Sequence, residues 1–176
     1  MTQKGFTLWF TGLPCSGKTT LSLAVRDELA RLKLPVRHLD GDELRKKISK
    51  DLGFTKKDRL EHIRRVAGIA AEHTRRGSAV LVSLISPYRS ARETARRQIG
   101  SFIEIYVHCA LAVCEKRDVK GMYRLARAGK IKNFTGISDV YEAPLSSEIT
   151  VDTAAADVKT CADKIMAYLR HRAFFS

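Results

Sequence analysis

The most specific chemistry in the chain lies near its amino end, in Gly12-Leu13-Pro14-Cys15-Ser16-Gly17-Lys18-Thr19-Thr20, directly after the apolar run Phe6 to Phe10. This stretch fits the phosphate-binding pattern G-x-x-x-x-G-K-[ST] at every fixed position. Small residues such as Gly12, Cys15, Ser16 and Gly17 let successive backbone N–H groups converge on a phosphate, at the start of a helix whose dipole adds to the attraction. Lys18 then reaches the outer phosphates, and Thr19 offers a hydroxyl to the magnesium ion that bridges them. The cradle, running through Thr20, calls for ATP with Mg2+. A cradle alone does not separate kinases from hydrolytic switches or motors, so acceptor residues must decide. Asp40-Gly41-Asp42, followed by Glu43-Leu44-Arg45, stands where a second strand ends. A carboxylate there can take the proton of an attacking hydroxyl or, with Thr19, hold the metal, and Asp40 is the first choice for both. In isolation an Asp–Gly turn with solvated carboxylates is the plainer reading. Its place opposite the phosphate loop favours the functional one.

Positioning these residues requires strands that end side by side. Strand-like runs recur at Phe6–Phe10, Val36–Leu39, Ala79–Ile85, Phe102–Val107 and Ile149–Val151, with helical patterns between them. This is an α/β pattern, a five-stranded parallel sheet with helices on both faces. The first helix runs from Gly17 to about Lys33, a long one from about Lys56 to Arg76, and the last from Ala154 to about Arg172. Arg59, His62 and Arg65 fall off the apolar stripe of the long helix. The third strand leads into Ser86 and Pro87, not into the acidic residue many nucleotide hydrolases carry there. From Asp118 to Pro144 the chain is rich in Lys, Arg and Gly and poor in large aliphatic residues, which predicts a mobile cover rather than core. No linker, repeat or low-complexity segment interrupts the pattern, so residues 1–176 read as one domain.

The 176 residues, 44% of them apolar, suffice for one core. With no 18-residue apolar run and no signal-like start, the expectation is a soluble cytoplasmic protein without a membrane partner. Cys15, Cys109, Cys114 and Cys161 show no C-x-x-C pair, so reduced thiols without a metal cluster are expected. Lys and Arg number 32 against 19 Asp and Glu, a net charge of +13 that asks for an anionic partner. The basic residues are spread along the chain with no basic tail or aromatic-interleaved motif, which favours small polyanionic substrates over nucleic acid.

Several blocks covering nearly the whole chain resemble the adenylylsulfate kinases: GLPCSGKTT at 12 to 20, DGDELR at 40 to 45, KDLGF at 50 to 54, DRLEHIRRV at 58 to 66, ISPYR at 85 to 89, RDVKGMYRLARAGKIKNFTGI at 117 to 137 and YEAP at 141 to 144. The resemblance implies a P-loop kinase fold with a lid at about 117–144, a homodimer, and transfer of the γ-phosphoryl group of ATP to the 3'-hydroxyl of adenylyl sulfate. Asp40, Lys18 and Ser86 would be the catalytic positions. Asp42, Arg45, Arg59 and His62 would line the acceptor site, with Phe54 as a face for its adenine and Ile85 and Ser86 as its floor. Lys120, Asn133 and Phe134 would come from the cover, and Arg117 would stack on the adenine of ATP. Forked guanidinium groups such as those of Arg45 and Arg59 suit the phosphate and sulfate of such an acceptor, although outside the motif a surface ion pair is the plainer reading of either.

Ser86 raises a choice between a phosphorylated-enzyme intermediate and direct transfer. With no histidine or lysine adjacent in sequence to activate it, direct transfer is expected and Ser86 is a substrate contact. Two positions depart from the family pattern: His62 and Glu43 stand where Asn is frequent. A histidine can titrate, so His62 would give acceptor binding a pH dependence. Cys15 is a further oddity, since a helix amino end lowers a thiol pKa and would tie oxidation to ATP binding. The competing readings are a kinase for another small hydroxylated anion and a nucleic-acid-associated ATP-binding module, which would show stimulation by nucleic acid and steep salt dependence.

Overall fold

The computed structural model describes residues 4–175. Five strands, β1 (Phe6–Thr11), β2 (Val36–Asp40), β3 (Ala79–Ser83), β4 (Phe102–His108) and β5 (Ile149–Asp152), form one parallel sheet in the order β2-β3-β1-β4-β5. Phe6 lies opposite Ala79 and Thr7 opposite Phe102, so β1 is central and every strand ends on the same edge. The phosphate loop, Asp40 and Ser86 therefore share that edge, where open parallel sheets present ligand sites.

Strict alternation along the strands feeds two cores. Leu8, Phe10, Leu81, Ile105 and Val107 pack against helix α1 (Lys18–Arg31) and helix α7 (Val158–His171). On the other face Trp9, Val80, Val82 and Phe102 pack against α3 (Lys56–Arg75) and α4 (Arg89–Ile99). Phe174 and Phe175 join the first core, with the Phe174 ring centroid 5.1 Å from that of Phe6, so the apolar carboxyl end covers this chain's own core.

The expected strands are all present, with small shifts at their ends. β3 stops at Ser83 instead of Ile85, because after one further bond from Leu84 N to Phe10 O (3.2 Å) the chain turns away through Ser86, at φ 40°, and Pro87. The last helix begins at Val158, not Ala154. Asp152 Oδ1 accepts from the N–H groups of Ala154 (2.8 Å) and Ala155 (3.3 Å), turning the chain, and Asp157 then caps the helix by accepting from Thr160 N.

Helix α2 (Gly41–Ile48) and helix α4 were not evident from apolar periodicity, since α2 has few large apolar residues and α4 packs with Ala91, Ala95 and Ile99. The region expected to be cover rather than core also needs correcting. Helix α5 (Leu111–Arg117) precedes it and helix α6 (Met122–Arg127) lies within it. Tyr123 is buried with Cys109 and Cys114, and Leu13, Cys15, Phe134 and Ile137 pack around them, a third small core beside the phosphate loop.

Candidate active site

The phosphate loop is shaped by close backbone approach. A Cβ on Gly12 would sit 2.4 Å from Val107 O, and Gly17, at φ 91°, occupies the left-handed region as α1 begins. The loop's carbonyls are engaged from outside. Tyr123 Oη donates to Pro14 O (2.9 Å), Arg117 Nη1 to Cys15 O (3.3 Å) and Thr153 Oγ1 to Ser16 O (2.8 Å). These bonds hold the loop's peptide planes from outside, and the Ser16 N–H closes a turn within the loop by donating to Leu13 O (3.2 Å). Arg117 also donates from Nη2 to Thr153 O (2.6 Å), tying the start of the cover to the end of β5. Tyr123 falls inside the long quoted block, but its role as a carbonyl donor leaves no sequence pattern, and Thr153 carried no signal.

Lys18 Nζ donates to Gly12 O (3.0 Å) and Leu13 O (2.6 Å) inside the loop. Burial lowers its pKa to about 8. Bound phosphate favours the ammonium form, so above this value binding must take up a proton and affinity falls as pH rises. The expected result is an ATP dissociation constant that increases by up to about tenfold per pH unit above pH 8, with no change from this group below it. Calorimetry in buffers of different ionisation enthalpy measures both the affinity and the proton uptake; a constant affinity from pH 7.5 to 9.5 contradicts it.

Asp40 joins the two halves of the site. Its Oδ2 accepts from Thr19 Oγ1 (3.0 Å), while Oδ1 accepts from the N–H groups of Asp42 (3.0 Å) and Glu43 (3.3 Å) and so caps α2. Thr19, on the first turn of α1, and Asp40, at the end of β2, present hard oxygen donors to one another, and no group of three or more His, Cys, Asp or Glu side chains competes for a metal among the described residues. Two protein oxygens fit Mg2+, which keeps water and phosphate oxygens for its remaining positions. Thr20 is exposed on the first turn of α1.

The residues expected on the acceptor side gather around α2 and the start of α3. A Thr55–Asp58 capping box fixes that start. Phe54 is 55% exposed, with the guanidinium carbons of Arg45 and Arg59 at 4.6 and 5.7 Å from its ring centroid. Arg45 Nη1 donates to Gly53 O (2.6 Å). Arg59 is buried, and it donates from Nε to Phe54 O (3.1 Å) and from Nη2 to Asn133 O (2.7 Å). Asp139 Oδ2 lies 3.5 Å from Arg59 Nε and accepts from Tyr88 Oη (2.9 Å), a partner that the sequence reading missed. Lys120 forms an exposed ion pair with Asp42, a second contact of the cover with the acceptor loop. Phe134 packs edge-on against Tyr123, with ring centroids 5.0 Å apart, so its recorded aromatic partner belongs to the third core.

His62 is buried off the apolar stripe, its Nδ1 2.9 Å from Ser49 Oγ and its Nε2 without a partner. Burial first, then the charges of Arg45 and Arg65, lower its pKa to about 4. It is neutral at physiological pH, and the pH dependence expected from it is displaced far into acid. Ser86 Oγ accepts from Trp9 Nε1 (3.1 Å) and lies 3.5 Å from Leu84 O, and neither group is a base that could activate it. Ile85, half-buried beside it, accepts at its carbonyl from Thr11 Oγ1 (2.8 Å).

Residues 4–152 match the family model described as adenylylsulphate kinase. The chain is 51% identical over 174 residues to the adenylyl-sulfate kinase of Synechococcus sp. (strain JA-3-3Ab), covering 99% of both chains. It is 49% identical over 174 residues to that of Halothermothrix orenii, covering 99% of this chain and 94% of the relative. Among solved structures, the Mycobacterium tuberculosis APS kinase CysC in complex with AMPPNP and APS superimposes with a TM-score of 0.92 at 36% identity, covering 95% of this chain and 98% of that one. With a phosphate loop, a Thr19–Asp40 bridge and an arginine-flanked aromatic on one sheet edge, and with relatives matched along nearly its whole length, the chain belongs to the adenylylsulphate kinase family.

Proposed function

We propose that the chain transfers the γ-phosphoryl group of ATP to the 3'-hydroxyl of adenylyl sulfate, giving 3'-phosphoadenylyl sulfate and ADP. Beside family membership, the observation that carries this reading is Asp40, whose carboxylate faces Thr19 of the donor cradle with one oxygen and caps the acceptor helix with the other. Gly12 to Thr20 would hold the phosphates of ATP, with Lys18 on the outer ones and Arg117 beside the loop for the adenine. Thr19 and Asp40 would hold Mg2+, which when bound neutralises charge on the transferring phosphoryl group. Asp40 accepts the proton of the 3'-hydroxyl as it attacks in line. Arg45 offers its guanidinium to the phosphate and sulfate, Arg59 adds positive charge from beneath while its Nε and Nη2 hold Phe54 O and Asn133 O, and Phe54 offers its exposed face to the adenine. Ile85 and Ser86 form the floor. Lys120 with Asp42, and Asn133 with Arg59, bring the cover onto the acceptor, so binding and closure are coupled. Phe134 anchors that cover from its inner side and His62 backs the acceptor wall as a neutral group.

Transfer is direct in this reading. Ser86→Ala is expected to keep turnover within about tenfold of the parent, because positioning and charge stabilisation carry in-line transfer. Rapid acid quench from ATP should yield no phosphoserine; a stoichiometric phosphoserine consumed by acceptor at the catalytic rate overturns direct transfer. Family resemblance adds the expectation of a cytoplasmic homodimer, whose mass light scattering would measure. A panel of hydroxylated anions assayed with ATP and Mg2+ tests the acceptor: adenylyl sulfate should be phosphorylated far faster than any other member, and a preference for another hydroxylated anion defeats the assignment.

A further inference from the structure

We propose that Arg92 is a positioning residue for the acceptor: its buried guanidinium locks the Ser86 turn to the root of the cover, holding the floor of the acceptor site and its lid in one register. The inference rests on the assignment of Ser86 and the 117–144 segment to the acceptor side.

Arg92 lies on α4, only 3% exposed. It donates from Nε to Glu104 Oε1 on β4 (2.6 Å), from Nη1 to Ser86 O (2.7 Å) and from Nη2 to Glu142 O (2.7 Å). One planar fork thus ties together a strand, the turn after β3 and the carboxyl end of the cover. Packing alone does not ask for an ion pair here, since a buried pair is often replaced by apolar residues of similar volume without loss of stability. What an arginine adds is direction, because its fixed geometry specifies where three separate segments stand.

Two of those segments need such specification. Ser86 holds φ 40°, a conformation that a serine keeps only where its surroundings over-determine it. Besides Arg92, Trp9 Nε1 donates to its Oγ, and Thr11 Oγ1 lies 2.8 Å from Ile85 O and 3.4 Å from Ser86 O. The root of the cover docks on the same turn. Glu142 N donates to Pro87 O (2.8 Å), and Glu142 Oε2 accepts from Arg89 N (2.8 Å). Tyr141 Oη is 2.9 Å from Thr11 Oγ1, and its ring stacks on Tyr106 and lies 5.9 Å from the Arg92 guanidinium carbon. Glu104 balances the charge of Arg92 without reaching either carbonyl. None of the three hydrogen-bonded partners of Arg92 belongs to Gly12 to Thr20, so the larger effect falls on the acceptor.

Arg92→Lys keeps a cation opposite Glu104, but one ammonium cannot reproduce the fork. Arg92→Gln is the second variant if the lysine form folds poorly. Backbone hydrogen exchange needs no substrate and should rise at 84–88 and 140–144, with the phosphate loop unchanged. In steady-state assays the KM for adenylyl sulfate should rise about tenfold while the KM for ATP stays within about twofold. Glu104→Gln, which keeps an acceptor for Arg92 Nε, should retain a KM near the parental one. Unchanged exchange at the two segments overturns the proposal, as does an equal rise in both KM values or looser segments with an unaltered acceptor KM. A parent enzyme inactive on adenylyl sulfate defeats the acceptor assignment before any variant is compared, and hydrogen exchange still decides whether Arg92 holds the two segments together.

Discussion

Asp40→Ala is expected to lower kcat by at least about a thousandfold, because in the proposed mechanism it removes a metal ligand and the proton acceptor together. The structure allows this effect to be separated from damage to the fold. Asp40 Oδ1 caps α2, and loss of such a cap costs about 1 kcal/mol, equivalent to a Tm lowered by about 2–4 °C in a chain of this size. Asparagine caps a helix as well as aspartate does, yet its amide neither takes a proton nor neutralises a cation. Asp40→Asn should therefore keep the parental Tm and lose nearly as much turnover as the alanine variant. Thermal melts run beside single-turnover assays decide the matter. Near-parental turnover in Asp40→Asn would show that the carboxylate is only a helix cap.

The second large effect is expected at Arg59. Arg59→Ala should raise the KM for the acceptor by about 10–100-fold, the range for losing a buried cation together with the two charge-assisted bonds by which it braces the site. Arg59 underlies the Phe54 platform through Phe54 O and reaches the cover through Asn133 O, so its removal loosens the aromatic face, the lid and the cationic contact at once. Asp139 keeps the hydroxyl of Tyr88 as a donor, which limits the cost of leaving that carboxylate behind. The donor side makes none of these contacts, and the KM for ATP should stay within about twofold of the parent. Arg59→Lys, with the charge but not the fork, should fall between the two. A KM that rises equally for both substrates would assign Arg59 to general stability instead.

The parts that were legible in the sequence are those in which chemistry forces a residue type at a fixed spacing. The phosphate loop is the clearest: close approach at Gly12, the left-handed Gly17, and the Lys18-Thr19 pair allow few alternatives. The five strands were legible because alternate residues face two cores, as Trp9 and Phe10 do on β1. α4 was not, because it packs through alanines, which give little periodic signal beside Arg92, Arg96 and Arg97. On α3 the buried face includes Ile63, Ala67 and Ala70, and it also includes Arg59 and His62, whose burial the apolar stripe does not announce. These two are buried because the preceding Phe54 loop and Ser49 and the distant Asn133 segment fold over them and supply polar partners. A related limit hid Tyr123 and Thr153. Bonds to backbone carbonyls impose no pattern on the sequence of the segment that receives them.

The central claim is that the Thr19–Asp40 edge delivers a phosphoryl group directly to one hydroxyl of adenylyl sulfate. Its most direct test is product analysis of the parent enzyme with ATP, Mg2+ and adenylyl sulfate, locating the new phosphate by phosphorus NMR and nucleotidase digestion. The expected product carries it at the 3' position, in amounts equal to the ADP released. ADP release without a phosphorylated acceptor, or phosphate at any other position, would contradict the account.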